Sequence, residues 1–534
     1  MKTRQLAIAG ALITLAAAGV LYTQLPSAPT ADPRAADEPA PPSTPAPAGA
    51  PNVLLIVWDT TRADHMSLYG AARQTTPRLD AWAKDAAVYE RAISPEMWTP
   101  PSHSSMFTGF APQHHGVKAT YKWLDAHFTT LAEWLGQHGW DTYAWSANPY
   151  LSPDTNLLQG FATVDTTFSG KWKKRAKAMT KAKLIPEDKS TDISPGWDRA
   201  QKTIGDAAPF KDAAPLGHEA LNEWLRQRPD ASKPWFAFVN MMEVHIPRVP
   251  SLASREALLD KETIERGYTA SASQIDLLAY TFGKKDYTSD ELAAMNGVYD
   301  AALRDMDAAT FDMLDDLQRQ GKLDNTIVIL TADHGENLGD HHMFGHKFSL
   351  YDTLLHVPLV IWWPGHVTPT RVETPVSVLS MFATILDATD LPTPDPKPDL
   401  GTSLLDAQRP SPLFADFLEA TPVSIKRVDE KDGIADKAYW LRTFKSVEQE
   451  GWKLITASDG SDELYHVTDD AEESDNLAAA NAHRITQLKA IRAAWDAATP
   501  DYDPSGRSRR DKPADVDAAT KEMLSTLGYA DPDK

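Results

Sequence analysis

Two short apolar runs in this chain end in residues able to hold a cation. Val53–Trp58 (VLLIVW) leads straight into Asp59, and Thr326–Thr331 (TIVILT) leads, one alanine later, into Asp333 and His334. Two hard carboxylate oxygens and one imidazole, brought together, make a site for one divalent ion. With a nitrogen in the set, Mn²⁺, Zn²⁺ or iron fit beside Ca²⁺ and Mg²⁺. A cation so held neutralises the oxygens around a sulfuryl or phosphoryl centre, which is what hydrolysis of an anionic ester requires. Each aspartate taken alone also reads as the cap of a following helix. The chain has no cysteine, so disulfides, thiolate metal sites and a cysteine nucleophile are excluded.

The elements that must position these groups follow from the same runs. Continuous apolar stretches of this length read as strands buried on both faces of a parallel sheet. Trp235–Asn240 (WFAFVN), with Glu243 and His245 just beyond, and Val357–Trp362 read the same way. Helical periodicity lies between them, most clearly from Asp290 to Gln320, opened by a Thr288/Glu291 capping box and closed by Gly321. Alternating strands and helices predict a doubly wound α/β fold, its sheet mostly parallel and flanked by helices. Ligands then bind beyond the carboxyl ends of the strands, where Asp59, His245 and Asp333 stand. After Gly401 short strands and one terminal helix predict a smaller α+β subdomain, dividing the folded part into 52–400 and 401–534.

The N-terminus reads as a targeting device. Lys2 and Arg4 precede Leu6–Tyr22, 17 residues without a charge, which fits a signal peptide or an N-terminal membrane anchor over 1–24. Residues 25–51 read as an extended Pro/Ala spacer, nine of the 26 residues from Pro26 to Pro51 being proline. Folded structure is expected to start at Asn52, and the chain to be exported to a periplasmic or extracellular location, with or without a tether to the inner membrane. The formal charge of −21 repels a phosphate backbone, so no nucleic-acid partner is expected. Lys171–Lys183 holds seven basic residues and no acid. It reads as a solvated helix or as a patch that guides an anionic substrate.

Six segments then carry a resemblance. They are NVLLIVWDTTRAD (Asn52–Asp64), WTPPSHSSMFTG (Trp98–Gly109), WFAFVNMMEVHIP (Trp235–Pro247), TADHGENLG (Thr331–Gly339), FGHKFSLYD (Phe344–Asp352) and ELYHVTDDAEESDNL (Glu463–Leu477). In this order and spacing they resemble the sulfatase family of the alkaline phosphatase superfamily, over Asn52 to about Tyr529. The resemblance implies a metal site at Asp59, Asp333 and His334, and a nucleophile at Thr99. In the family a Cys or Ser in a C/S-x-P-S-R motif becomes formylglycine. Here Thr99-Pro100-Pro101-Ser102-His103 stands instead. Threonine cannot be oxidised to that aldehyde, because its alcohol carbon bears a methyl group, so formylglycine is excluded at this position. The Thr99 hydroxyl can still attack directly, or Thr99 can serve as a helix cap whose helix end faces an anion.

The resemblance further implies that His245 and Lys347 assist the leaving group and hold the anion, with His103 replacing the motif's arginine. Asn148 matches a position near substrate. Arg62 matches either a substrate contact or a structural ion pair. Thr60 stands where many members have a second aspartate. His341, His342 and His346 could contribute to a second metal site, though their spacing does not match the usual motif, so one ion is expected. The expected activity is hydrolysis of a small anionic ester, sulfate or phosphate, through Thr99. The alternatives are a phosphodiesterase or phosphonate monoester hydrolase, an envelope phosphoryl-group transferase, or a binding protein without catalysis. Composition fixes neither the metal nor the oligomeric state.

Overall fold

In a computed structural model, residues 44–184, 210–270, 274–406, 412–420 and 422–503 are described. The N-terminal targeting segment and the spacer up to residue 43 lie outside these residues. Among the described residues no helix is long and apolar enough to cross a membrane.

The central sheet has eight strands: β1 (Asn52–Trp58), β2 (Ala87–Tyr89), β3 (Asp141–Ser146), β4 (Thr163–Thr166), β5 (Trp235–Met241), β6 (Thr326–Thr331), β7 (Leu359–Trp362) and β8 (Thr370–Val372). They lie in the order β8-β2-β7-β6-β1-β5-β3-β4. β1 is central and parallel to both neighbours, pairing Val57 with Asn240 on one side and with Thr331 on the other. Its side chains alternate between two cores, Val53, Leu55 and Val57 on one face and Leu54, Ile56 and Trp58 on the other. Burial on both faces is why the run is apolar without a break.

The sheet departs from expectation at one strand. β7 runs antiparallel to both β6 and β2, and its predicted start is split off, His356–Val357 pairing in a separate small sheet. Four buried apolar residues carry no information about direction. The long helix forms as read, over Ser289–Arg319, with both halves of the Thr288/Glu291 capping box made. Folded structure begins earlier than Asn52. Ala46 and Ala50 pack against the core, Asn325 Nδ2 donates to the Gly49 carbonyl at 3.1 Å, and Trp140 Nε1 donates to that of Pro51 at 3.0 Å. Gly139, at φ +96°, lies so close to the Ala46 backbone that a side chain there would collide with it. The end of the spacer is docked because proline-rich chain still has carbonyls to offer and small apolar faces to pack.

The C-terminal part forms an antiparallel sheet of β9 (Leu413–Phe417), β10 (Phe444–Gln449), β11 (Trp452–Ala457) and β12 (Asp462–His466), in that order. A helix, Ala482–Ala498, packs on it. This sheet has no private core on its other side. Leu413, Phe417, Phe444 and Tyr465 share one cluster with Ile93, Met97, Leu350 and Leu354. The basic run forms a helix, Gly170–Leu184, where Lys171 pairs with Glu223 at 2.5 Å and Arg175 pairs with Glu219. Part of that charge is thereby spent on the neighbouring helix, Ala213–Gln227.

Candidate active site

β1 and β6 run side by side and stop together, which puts Asp59 and Asp333 at adjacent strand ends. Both are fully buried, as is His334. One oxygen of Asp59, Oδ2, accepts from Asn148 Nδ2 at 2.8 Å and Asn240 Nδ2 at 3.1 Å. One oxygen of Asp333, Oδ1, accepts from the backbone N–H of Thr60 at 3.1 Å and of His334 at 3.0 Å. The other oxygens, Asp59 Oδ1 and Asp333 Oδ2, have no hydrogen-bond partner among the described residues. His334 Nδ1 lies 2.9 Å from the Gly335 carbonyl, so it carries the proton and Nε2 keeps its lone pair. Ligand atoms of Asp59, Asp333 and His334 all lie within 4.8 Å of one another.

Electrostatics points the same way. Asp59 is pushed up to about 7, first by burial and then by Asp333. Asp333 is also pushed up to about 7, by burial. Two buried carboxylates this close cannot both ionise without a cation. The orphaned oxygens and the imidazole lone pair fit one divalent ion of the oxygen- and nitrogen-binding kind.

Thr99 opens the helix Thr99–Thr108 as its first residue. Trp98 holds the cap position and Thr99 makes no side-chain cap bond, which corrects the helix-cap reading. Its hydroxyl instead sits 3.3 Å from His334 Nε2 and accepts from Asn148 Nδ2 at 3.2 Å. Pro100 and Pro101 remove two N–H groups from the first turn, so this helix end is a poor anion cradle. The proline pair does fix the backbone behind the hydroxyl. Below it, Ser94 and Ser102 both donate to the Asp333 carbonyl, at 2.6 and 2.7 Å, tying the Thr99 helix to the metal-ligand loop.

The remaining candidates separate into those at the site and those behind it. Asn148 bridges Asp59 and Thr99, and its own carbonyl oxygen accepts from the Tyr150 N–H at 3.0 Å. It ties the Asp59 carboxylate to the Thr99 hydroxyl. His103 is buried between Phe107 and Phe238, its Nδ1 3.0 Å from the Thr99 carbonyl. Burial pushes it down to about 3. A neutral ring cannot replace the charge of the motif's arginine. Arg62 does not reach the site. Its guanidinium is taken up by Asp64 at 2.7 Å, Asp340 at 2.6 Å and the Glu336 carbonyl at 3.1 Å, so the ion-pair alternative holds. Thr60 contributes only its backbone N–H, at φ 59°.

His245 and Lys347 stand in the surrounding wall. His245 Nδ1 lies 2.7 Å from the Ile246 carbonyl, and burial pushes the ring well below its ordinary value. Lys347 Nζ donates to Ser424 of the C-terminal part at 2.9 Å. It is pushed down to about 8 by burial and then by Arg427. His346 lies between the two groups of histidines, 4.6 Å from the His334 ring and 5.3 Å from that of His245. His341 and His342 turn away, stacking on Tyr351 and Tyr280.

Several residues were missed from sequence. Asn240 is one, and its signal was present as a lone amide in an apolar strand. Glu336 is another, buried between His346 at 2.9 Å and Arg248 at 2.6 Å. Lys211 is a third, buried with Nζ on the carbonyls of Met242 at 2.8 Å and His245 at 2.5 Å. Nothing local in the sequence announces the last two, since Arg248 lies 88 residues from Glu336 and the carbonyls on Lys211 lie 31 and 34 residues from it.

An α/β sheet with two buried acids and a histidine gathered beyond its strand ends, in reach of one cation and of the Thr99 hydroxyl, is the arrangement of a hydrolase of anionic esters. The sulfatase family profile matches residues 51–391, and the chain belongs to the sulfatase family. Arylsulfatase K of Bos taurus is 26% identical over 454 residues, covering 80% of this chain and 78% of that protein. The choline-sulfatase of Rhizobium meliloti is 22% identical over 489 residues, covering 84% and 87%. In fold, the chain matches the crystal structure of a phosphonate monoester hydrolase of Agrobacterium radiobacter with a TM-score of 0.63 at 23% identity, covering 84% of this chain and 96% of that one.

Proposed function

We propose that the protein cleaves a sulfate or phosphate-type ester by direct attack of the Thr99 hydroxyl. The observation that carries this is the Thr99 Oγ1 position, 3.3 Å from His334 Nε2 and 3.2 Å from Asn148, beside two carboxylate oxygens without partners. Asp59, Asp333 and His334 would hold one divalent cation. When bound there, it neutralises the ester's oxygens and favours ionisation of a nearby hydroxyl.

Thr99 Oγ1 forms a bond to sulfur or phosphorus as the bond to the leaving oxygen breaks. Solvent water takes the hydroxyl proton of Thr99, and the leaving alkoxide takes a proton from the wall. Lys347 suits that task better than His245. An ammonium pushed down to about 8 is protonated yet acidic near neutral pH. His245, which burial holds well below its ordinary value, is neutral and has no such proton to spare. Water then cleaves the Thr99 adduct at sulfur or phosphorus and restores the hydroxyl.

The absence of a formylglycine precursor favours phosphorus. A formylglycine hydrate releases its sulfate by breaking its own C–O bond, a route closed to an ester of threonine. The likeness in sequence to arylsulfatase K and choline-sulfatase favours sulfur, so both centres belong in the test. The site lies in the part of the chain downstream of the apolar N-terminal run, which places the reaction, on this reading, in the cell envelope or outside the cell.

The test is a parallel assay of aryl sulfate, aryl phosphate, aryl phosphodiester and aryl phosphonate ester with added divalent metals. Turnover of at least one that Thr99→Ala abolishes and Thr99→Ser partly retains supports the reading. Turnover unchanged in Thr99→Ala overturns the nucleophile.

A further inference from the structure

Next to Trp98, the residue that precedes Thr99, lies a crevice whose lining includes Trp98, Tyr150, Phe417, His346 and two lysines, Lys347 and Lys122. Lys347 is accounted for by Ser424 and by its place near the leaving group. Lys122 is not. It is half-buried, and among the described residues no carboxylate or carbonyl accepts from its ammonium. Its nearest company is the Tyr150 ring, 6.0 Å from Nζ, and the charge of Glu419.

Glu419 is already committed elsewhere. Its Oε2 accepts from the Thr120 N–H at 2.8 Å and the Thr120 hydroxyl at 2.6 Å, which holds the carboxylate two residues away from the lysine. Burial lowers the Lys122 ammonium below its usual range. Half-burying a cation without a partner costs free energy that an arriving anion would restore.

The loop that carries Lys122 is not slack. Lys118 and Tyr121 bridge each other, the Tyr121 hydroxyl bonds to Asp125, and the Leu124 N–H donates to the Thr155 carbonyl at 3.0 Å. The backbone from which Lys122 reaches the crevice is therefore fixed before any ligand arrives. In the same crevice the ring of Trp98, the residue before Thr99, meets that of Tyr150 edge to face at 5.9 Å, and Lys122 Nζ lies 6.0 Å from the Tyr150 ring, so the crevice offers an apolar or aromatic body a surface with a cation at its side.

We propose that Lys122 binds a second anionic group on the substrate, so that the preferred esters are those of a compact apolar or aromatic alcohol that itself carries a carboxylate or another acidic group. This rests on the reading of Thr99 and its neighbours as the ester-cleaving site. The reacting head group goes to that site, the body lies over Trp98 and Tyr150, and the distal anion pairs with Lys122.

The direct test is calorimetric titration of the metal-loaded protein with two uncleavable probes, phenylphosphonate and para-carboxyphenylphosphonate, which differ by one carboxylate. The wild type is expected to bind the carboxylated probe about tenfold tighter. Lys122→Met should reduce that preference to within about twofold while leaving phenylphosphonate affinity unchanged, and Lys122→Arg should keep most of it. Matched aryl esters should show the same split, in KM and not in kcat. Equal binding of the two probes by the wild type, or an undiminished preference in Lys122→Met, overturns the inference and leaves the ester-cleaving reading standing. Failure of both probes to bind removes the ester-cleaving site itself, and the inference with it.

Discussion

Two groups of buried carboxylates in this protein solve the same problem in opposite ways. Where the catalytic sheet meets the C-terminal sheet, Asp352 accepts from Lys453 at 2.7 Å and pairs with Arg91 at 2.6 Å, while Arg91 also reaches Glu448 at 2.6 Å and Lys453 reaches Glu473 at 2.7 Å. The chain supplies the cations, and Arg91 and Lys453 hold the Asp352 carboxyl far below its usual range, against the effect of burial. At the strand ends no lysine or arginine among the described residues pairs with Asp59 or Asp333, and burial drives both up to about 7. Buried acids matched by the chain's own bases fasten two sheets together. Buried acids left unmatched, with an imidazole lone pair beside them, leave a place for a cation from outside.

Breaking the unmatched group should have the largest effect on function. Asp333→Asn is expected to abolish turnover and metal binding together, because three ligands fall to two strong ones. The metal-free variant should nonetheless be at least as stable as the metal-free wild type, since a repelling charge has gone. Calorimetric melting with and without metal checks both halves. Next comes Thr99→Ala, expected to lower kcat by roughly 10³-fold or more with metal content nearly unchanged.

Breaking the matched group should do the reverse. Lys453→Met strands Glu473 and half of the pairing of Asp352, and should cost about 3–5 kcal/mol of stability. The fraction that remains folded should turn over normally. Chemical denaturation beside specific activity reads the two effects apart.

The smallest expected effect is on the pH dependence of stability, and its sign separates the strand-end acids from Asp352. Asp59 and Asp333 rise from 3.8 to about 7 on folding without metal. The metal-free fold therefore keeps protons that the unfolded chain has released. Their contribution destabilises progressively from about pH 4 and is fully adverse above about pH 7. Asp352 is shifted down, so its contribution is present above about pH 4 and is lost as the solution becomes more acid. Metal-free protein should thus lose stability between about pH 4 and pH 7 through the strand-end pair, and the Asp59→Asn, Asp333→Asn double variant should lose less. Equal slopes in the two proteins would remove this part of the comparison.

Much of this was legible in the sequence for a physical reason. Strands buried on both faces must be apolar throughout, so VLLIVW and TIVILT announce themselves, and an acid at the end of each is conspicuous by contrast. That places Asp59, Asp333 and His334 before any coordinates. Direction and distance were not legible. Leu359–Trp362 reads as well in one sense as in the other, and its antiparallel course follows from where the chain returns. Arg62 sits in a strong motif but is absorbed by Asp64 and Asp340, the second of which is 278 residues away. His103 occupies an arginine's place, yet its packing against Phe107 and Phe238 is set by other elements. Lys122 and Glu336 carry no local pattern; only the fold shows that one lacks a partner and the other holds His346.

The central claim is that the strand-end acids await a cation which the chain does not supply. Elemental analysis by plasma mass spectrometry of purified wild type and of Asp333→Asn, after equilibration with divalent metals and removal of the excess, tests it most directly. The wild type is expected to retain about one divalent ion per chain and the variant almost none. Retention of equal metal by both proteins, or none by the wild type, would contradict the account.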